Sequence, residues 1–165
     1  MSDQRVAVVT GASRGIGRDI AVTIAAAGQA VVVGYASNEA AAKDVVDDII
    51  AAGGRAVAAQ ADVADENDVA ALFDTATQAF GGVDVVVNSA GRLSLSPIGE
   101  LDLDDLDALH RTNIRGTFVV AREAARRVRP SPLGAEARYG RLAERSGGIR
   151  HRTHVACHRL ASQTH

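Results

Sequence analysis

Long hydrophobic runs, cysteine pairs and an excess of charge of one sign are all missing from this sequence of 165 residues. No apolar run approaches the roughly 18 residues of a membrane span, and the first residues do not resemble a secretory leader. The single cysteine, Cys157, excludes an internal disulfide and fits a reducing compartment. A formal net charge of −2 gives no bias toward nucleic acid or membranes. We therefore predict a cytoplasmic protein with no membrane and no nucleic-acid partner.

Short β-branched runs alternate along the chain with alanine-rich amphipathic stretches. The runs cover residues 6–9, 30–34, 55–60 and 83–88, and the stretches cover 15–27, 38–52, 66–80 and 103 to about 128. Nearly continuous apolar runs are typical of strands covered on both faces, and the glycines that follow the first three stretches are typical helix stops. The alternation predicts an α/β fold with a Rossmann-like, doubly wound parallel sheet, strand order 3-2-1-4, incomplete after the fourth strand.

A glycine-rich loop, TGASRGIG, joins the first predicted strand to the first predicted helix. Its glycines, Gly11, Gly15 and Gly17, have the spacing G-x-x-x-G-x-G. Backbone N–H groups and the positive end of the helix dipole form an anion site here, and glycine allows a pyrophosphate to approach the main chain. The pattern favours a dinucleotide phosphate, and a tight strand-to-helix turn without a ligand is the alternative.

Three further segments, ADV at 61–63, NSAG at 88–91 and TNIRGTF at 112–118, complete a set of four ordered motifs. With them the chain resembles a classical short-chain dehydrogenase/reductase, close to the 3-oxoacyl-acyl-carrier-protein reductases, over about residues 5–129. The resemblance implies a homo-oligomer that acts on a small carbonyl or alcohol substrate. It also implies these cofactor contacts: the pyrophosphate with Gly11, Ser13, Arg14, Gly15, Ile16 and Gly17; adenine with Asp62 and Val63; and the ribose and nicotinamide side with Asn88, Ala90 and Gly91. Ser89 replaces the second Asn of the family's NNAG, and its hydroxyl keeps a donor and an acceptor there.

The end of the second predicted strand favours NADP over NAD. An NAD-preferring fold usually carries an acid at this point, which accepts the ribose hydroxyls and repels a 2′-phosphate. Here the strand ends in GYASN, with no acid before Glu39. Arg14 and Ser37 can bind a 2′-phosphate, although Arg14 could instead be solvated at the loop tip. We predict NADP as the cofactor, with NAD as the alternative.

Most of the catalytic residues that the resemblance implies cannot be found. Asn113 matches the family's Asn, but the Ser and the Tyr-x-x-x-Lys have no counterpart. Lys43 is the only lysine, and the tyrosines are Tyr35 and Tyr139, the latter followed four residues later by Ala143. We predict an NADP-dependent oxidoreductase by family whose isolated chain has negligible turnover. A non-catalytic NADP-binding module and an interaction role for the basic C-terminal tail are the alternatives.

The composition changes at Pro130, after which Arg and His are frequent and β-branched runs are absent. We divide the chain into a dinucleotide-binding domain, 1–129, and a disordered or frameshifted tail, 130–165. A natural linker or regulatory tail is the alternative, and an Arg-rich phosphate site and a zinc site of His151, His154, Cys157 and His158 are weaker ones, so we predict no metal. Without a fifth strand the fourth becomes the sheet edge, which predicts marginal stability and aggregation.

Overall fold

The structure, a computed structural model, describes residues 4–130. Predictions for the tail, including Tyr139 and the zinc alternative of His151, His154, Cys157 and His158, lie outside the described residues. Along the described chain, β1 (Val6–Thr10), α1 (Gly15–Ala26), β2 (Ala30–Tyr35), α2 (Glu39–Ala51), β3 (Arg55–Gln60), α3 (Glu66–Phe80) and β4 (Val85–Asn88) follow one another. After β4 come a short 3-10 turn (Ile98–Glu100), α4 (Leu103–Leu109), a π-helical segment (His110–Arg115) and α5 (Gly116–Arg127).

The four strands form one parallel sheet in the order β3-β2-β1-β4. The predicted fold class and strand order are therefore confirmed. Every residue of β1 and β2 is buried, which explains why their sequences are almost continuously apolar. β4 is the outer strand next to β1, and its three valines are only half-buried. The sheet thus has a fully covered centre and a partly open side at β4.

Two apolar clusters cover the two faces of the sheet. On one face, Phe73 and Leu72 of α3 lie with Val119 and Val120 of α5 against the sheet. On the other face, α1 and α2 pack through small and branched side chains, with Ile49 as the largest fully buried one. Some residues of the loops at the carboxyl ends of the strands, such as Ala12 and Val63, also belong to these clusters. Within residues 4–130, no helix has both the length and the apolar composition needed to cross a membrane.

The last predicted helix, residues 103 to about 128, differs from the structure in its middle. The backbone stays right-handed helical from α4 into α5, but His110–Arg115 between them is a π-helix. Apolar periodicity does not reveal such a change, because a single π turn shifts the helical face without ending the helix. The segment matters because π-helical turns are frequent at functional sites and this one contains Asn113.

The start of the fourth strand also differs from the prediction. The predicted strand begins at Val83, whereas β4 begins at Val85. Val83 instead forms an isolated parallel bridge with Val128, and the Arg129 N–H donates to the Val83 carbonyl at 2.8 Å. The chain leaving α5 therefore pairs with the residues just before β4 and leaves β4 itself at the edge of the described sheet.

Candidate cofactor-binding site

Except for Asn113 in the π segment, the predicted site residues lie at or just after the carboxyl ends of the strands. Because the sheet is parallel, these ends meet at one edge. The strand order reverses between β1 and β4, since β1 connects to β2 on one side and β4 lies on the other. A crevice outside the carboxyl ends at such a switch point is where open α/β sheets bind ligands. The topology therefore brings the glycine loop and the NSAG loop to the expected ligand position.

The start of α1 differs from the starts of the three helices that follow it. Asn38, Asp65 and Asp102 cap α2, α3 and α4 by accepting hydrogen bonds from backbone N–H groups of the first turn. Arg14 precedes α1 in an extended conformation and makes no side-chain cap in the described structure. The first N–H groups of α1 thus have no side-chain acceptor, and together with the helix dipole they favour an anion.

Only glycine fits on the inner side of the loop, and on its outer side a residue with a side chain fits only with backbone strain. An ideal Cβ on Gly17 would lie 2.3 Å from the carbonyl oxygen of Gly11, so no side chain fits there. Gly15 has φ +53°, and no other heavy atom lies within 4 Å of its ideal Cβ. The loop is therefore closed on the protein side and open on the outer side. This is the shape that lets a phosphate reach the main chain.

Thr10 connects the glycine loop to the loop after β4. Its buried hydroxyl donates to Asn88 Oδ1 at 2.7 Å and accepts from the backbone N–H groups of Ser89 and Ala90, both at 3.1 Å. Asn88 Nδ2 in turn donates to Thr117 Oγ1 of α5 at 3.1 Å. Three elements are tied together by this chain of hydrogen bonds, which holds the NSAG backbone against β1. Sequence reasoning missed Thr10, although it opens the glycine motif.

The side chain of Asn113 is occupied by main-chain partners. Its Oδ1 accepts from the Arg92 N–H at 2.8 Å, and its Nδ2 donates to the Arg92 carbonyl at 2.9 Å. The Thr117 hydroxyl donates to the Asn113 carbonyl at 2.7 Å. Asn113 therefore fixes the loop that follows Gly91 by pairing with both the N–H and the carbonyl of one residue of that loop. The structure brings these two predicted site residues together, since an ideal Cβ on Gly91 would lie 3.4 Å from Asn113 Oδ1.

Asp62, after β3, is an ionised carboxylate with two fixed partners. Its Oδ1 accepts from the Ala64 N–H at 2.9 Å, and its Oδ2 forms an ion pair with Arg111 of the π segment. Burial raises the pKa of Asp62, but the Arg111 hydrogen bond, the Ala64 N–H and the Arg111 charge outweigh burial and hold the pKa below its ordinary value. Val63 beside it is buried. Sequence reasoning missed Arg111, because nothing in the pattern placed it opposite Asp62.

A family model described as short chain dehydrogenase matches residues 5–141. The chain belongs to this family. Versicolorin reductase stcU of Emericella nidulans is 46% identical over 127 residues, which are 77% of this chain and 48% of that protein. A short-chain type dehydrogenase/reductase of Picea abies is 44% identical over 132 residues, 75% of this chain and 49% of that protein. The chain thus spans about half the length of the relatives it matches.

Solved structures of short-chain dehydrogenases agree with the fold. A dehydrogenase/reductase from Sinorhizobium meliloti has a TM-score of 0.72 and 40% identity, covering 75% of this chain and 49% of that one. A hydroxysteroid dehydrogenase from Escherichia coli has a TM-score of 0.69 and 37% identity, covering 75% of this chain and 52% of that one. The predicted family is therefore confirmed. Its members are oxidoreductases that use NAD or NADP.

The residues predicted to select the cofactor lie on the surface of this short-chain dehydrogenase. Arg14 and Ser37 are exposed, and within the described residues Arg14 forms no ion pair. Tyr35 ends β2 in a buried position, and the residues from there to Asn38 include no acid. Ser13 is half-buried and Ile16 is 76% exposed at the start of α1, which leaves an apolar side chain facing outward beside the loop.

The tyrosine and lysine of the described chain stand apart from Asn113. Lys43 lies on α2, where its Nζ pairs with Glu39 Oε1 at 2.6 Å, and Tyr35 is buried at the end of β2. Both belong to the β2-α2 unit, whereas Asn113 lies in the π segment. The described residues also contain no group of three or more His, Cys, Asp or Glu side chains able to hold a metal ion. What they offer is a helix start without a side-chain cap beside an open glycine loop, an ionised carboxylate and a loop fixed by Asn113.

Proposed function

We propose that this short-chain dehydrogenase binds NADPH at the carboxyl edge of its sheet and belongs to a protein that transfers hydride between NADPH and a small carbonyl or alcohol. The observation that carries the proposal is the start of α1, where N–H groups without a side-chain cap lie beside Gly15 and its open outer face. The bound cofactor supplies the hydride. The chain's own residues bind and orient the cofactor and hold the surrounding loops.

The contacts we propose for the cofactor are those predicted from the sequence. The pyrophosphate is assigned to the loop of Gly11, Ser13, Arg14, Gly15, Ile16 and Gly17, adenine to Asp62 and Val63, the 2′-phosphate to Arg14 and Ser37, and the ribose and nicotinamide side to Asn88, Ala90 and Gly91. Helix-start N–H groups suit a pyrophosphate, and an ionised carboxylate suits an amino group. Asn113 acts on the loop beside the nicotinamide side through the Arg92 main chain.

Titration with NADPH and NADH, followed by nicotinamide fluorescence, tests the cofactor assignment. We expect NADPH to bind about tenfold or more tightly than NADH, because a charged hydrogen bond contributes about 1.5–3 kcal/mol. Arg14→Ala should remove most of this preference. Arg18→Ala is the matched control, since Arg18 pairs with Asp48 of α2 and should leave the preference unchanged. Equal affinities in the unaltered chain, or tighter NADH binding, would contradict NADP as the cofactor.

Turnover tests the second part of the proposal. Hydride transfer to a carbonyl needs a proton donor for the developing oxyanion, and a general acid contributes about 10²–10⁴-fold. This chain of 165 residues has no Tyr-x-x-x-Lys. We therefore expect negligible NADPH oxidation with ketones and 3-oxoacyl esters when the chain is tested alone. Some relatives are named as reductases, which favours the reducing direction. Turnover within tenfold of a full-length relative would show an acid that we have not identified.

The quaternary state and the location are also proposals. Ile114 is 56% exposed and Phe118 is 72% exposed, one helical turn apart on the π segment and α5. A helix face with such side chains supports association between copies of the chain. Sedimentation analysis of the chain and of Phe118→Ser tests this, and an unaltered chain that stays monomeric at high concentration contradicts it. The cytoplasmic location continues to rest on the sequence alone.

A further inference from the structure

The π segment and the first residue of α5 contact three consecutive residues of the loop after β3. Arg111 pairs with the Asp62 carboxylate, and Arg115 Nε donates to the Ala64 carbonyl at 2.9 Å. Val63, which lies between Asp62 and Ala64, is so close to Gly116 that an ideal Cβ on Gly116 would be 2.6 Å from Val63 Cγ2. The loop that carries the proposed adenine contacts is thus held from one side by a single short stretch of helix.

The partners of Asp62 fix the plane of its carboxylate and leave part of the carboxylate facing solvent. One oxygen accepts from Ala64 and the other pairs with Arg111, while the Asp62 N–H donates to Asp68 Oδ2 at 3.0 Å. The Asp62 side chain is still 40% exposed, so acceptor positions remain toward solvent. A carboxylate held in this way is ionised at neutral pH, so it accepts hydrogen bonds from a ligand and donates none.

We infer that Arg111 is a specificity-determining residue of the cofactor site, which makes Asp62 select a base with an exocyclic amino group over one with a carbonyl at the same position. The inference rests on the proposed function, since it takes Asp62 as an adenine contact. Arg111 acts through Asp62 and is therefore a positioning residue. Without its guanidinium, the carboxylate turns toward solvent and its preference for a donor weakens.

Two nucleotides that differ at this position, and in the proton that the 6-oxo base carries on the adjacent ring nitrogen, make the test. The affinities of NADPH and of its analogue with hypoxanthine in place of adenine are measured by nicotinamide fluorescence. We expect the unaltered chain to bind NADPH about tenfold or more tightly than the analogue, since a hydrogen bond to a charged group is at stake. In Arg111→Met the ratio should fall to about threefold or less, and Arg111→Lys should restore part of it because the charge returns.

The control and the second variant separate specificity from folding. Arg122→Met removes the ion pair between Arg122 of α5 and Glu66 and should keep the ratio of the unaltered chain. Should Arg111→Met fail to fold, Asp62→Asn replaces it, and it should lower the ratio equally. An unchanged ratio in Arg111→Met, or in its replacement, overturns the inference while NADPH binding stands. Absence of binding of both nucleotides to the unaltered chain overturns the proposed function and the inference together.

Discussion

Residues 4–88, the N-terminal region, bury their large apolar side chains, whereas residues 89–130, the C-terminal region, leave many of theirs exposed. Of the eight large hydrophobic residues exposed in the described chain, Ile16 and Ile50 belong to the first region and six belong to the second: Leu93, Leu95, Ile98, Leu103, Ile114 and Phe118. The first region is stabilised by strands and helices that cover one another. The second adds hydrogen bonds and ion pairs that fasten loops and helices to the first.

Arginines link the C-terminal region to the acids of the N-terminal region. Arg115 and Arg122 pair with Glu66, Arg111 pairs with Asp62, Arg127 with Asp74 and Arg129 with Asp84. Exposed pairs of this kind contribute about 0–1 kcal/mol each, much less than one buried aromatic ring. We conclude that apolar packing of α5 on α3 holds the two regions together, and that the arginines determine which loop faces which helix.

Two phenylalanines, one on α3 and one on α5, give the largest expected difference between the regions. Phe73 of α3 is 0% exposed and Phe118 of α5 is 72% exposed. We expect Phe73→Ala to lower the free energy of unfolding by about 3–5 kcal/mol, because it removes a buried ring and leaves a cavity. Phe118→Ala, the matched control, should change it by less than about 0.5 kcal/mol at protein concentrations where the chain is monomeric. Urea unfolding followed by circular dichroism measures both, and similar losses would show that the C-terminal region buries Phe118 elsewhere.

Gly116, where the π segment meets α5, tests how tightly the regions are joined at the site. Gly→Ala in a helix usually adds up to about 1 kcal/mol of stability. Here the new methyl group would collide with the stiff, buried Val63, so we expect Gly116→Ala to lower the free energy of unfolding by about 1–3 kcal/mol. In the Val63→Ala background the same change should cost almost nothing, and Gly99→Ala, at an open position, is the control. A stabilised Gly116→Ala would mean that the two surfaces are not in contact.

The same contrast explains how much could be predicted from the sequence. In the N-terminal region, runs such as VAVV and the glycines after each helix are local signals, and the strand order follows from chain connectivity. The motif residues were predicted by resemblance, and their roles stay predictions; the structure shows only their contacts within the protein, such as Gly91 beside Asn113. The C-terminal region depends on side chains far apart in sequence. Periodicity could not show the π turn, and composition could not pair Arg111 with Asp62.

Asp84 joins the two regions and gives the smallest of the expected effects. The carboxylate accepts from the Val6 N–H of β1 at 2.8 Å, and from Arg129 Nε and Nη2 at 2.9 and 2.5 Å. Burial raises the pKa of Asp84, but the hydrogen bonds from Arg129 and Val6 and the arginine charges outweigh it and lower the pKa below its ordinary value. We expect Asp84→Asn to lower the free energy of unfolding by about 1–2 kcal/mol at pH 7.

The pH dependence of this loss separates the charge of Asp84 from its shape. Because folding lowers the pKa, the carboxylate stabilises the protein fully above the unfolded value of about 3.9, and the stabilisation is lost as the pH falls through the folded value. The gap between the unaltered chain and Asp84→Asn should therefore shrink between pH 7 and pH 3. Asp74→Asn, which removes a partly exposed pair with Arg127, should show a gap of about 0.5 kcal/mol or less throughout. A gap for Asp84→Asn that stays constant down to pH 3 would assign the effect to packing, and the joint between the regions would then not depend on an ionised carboxylate.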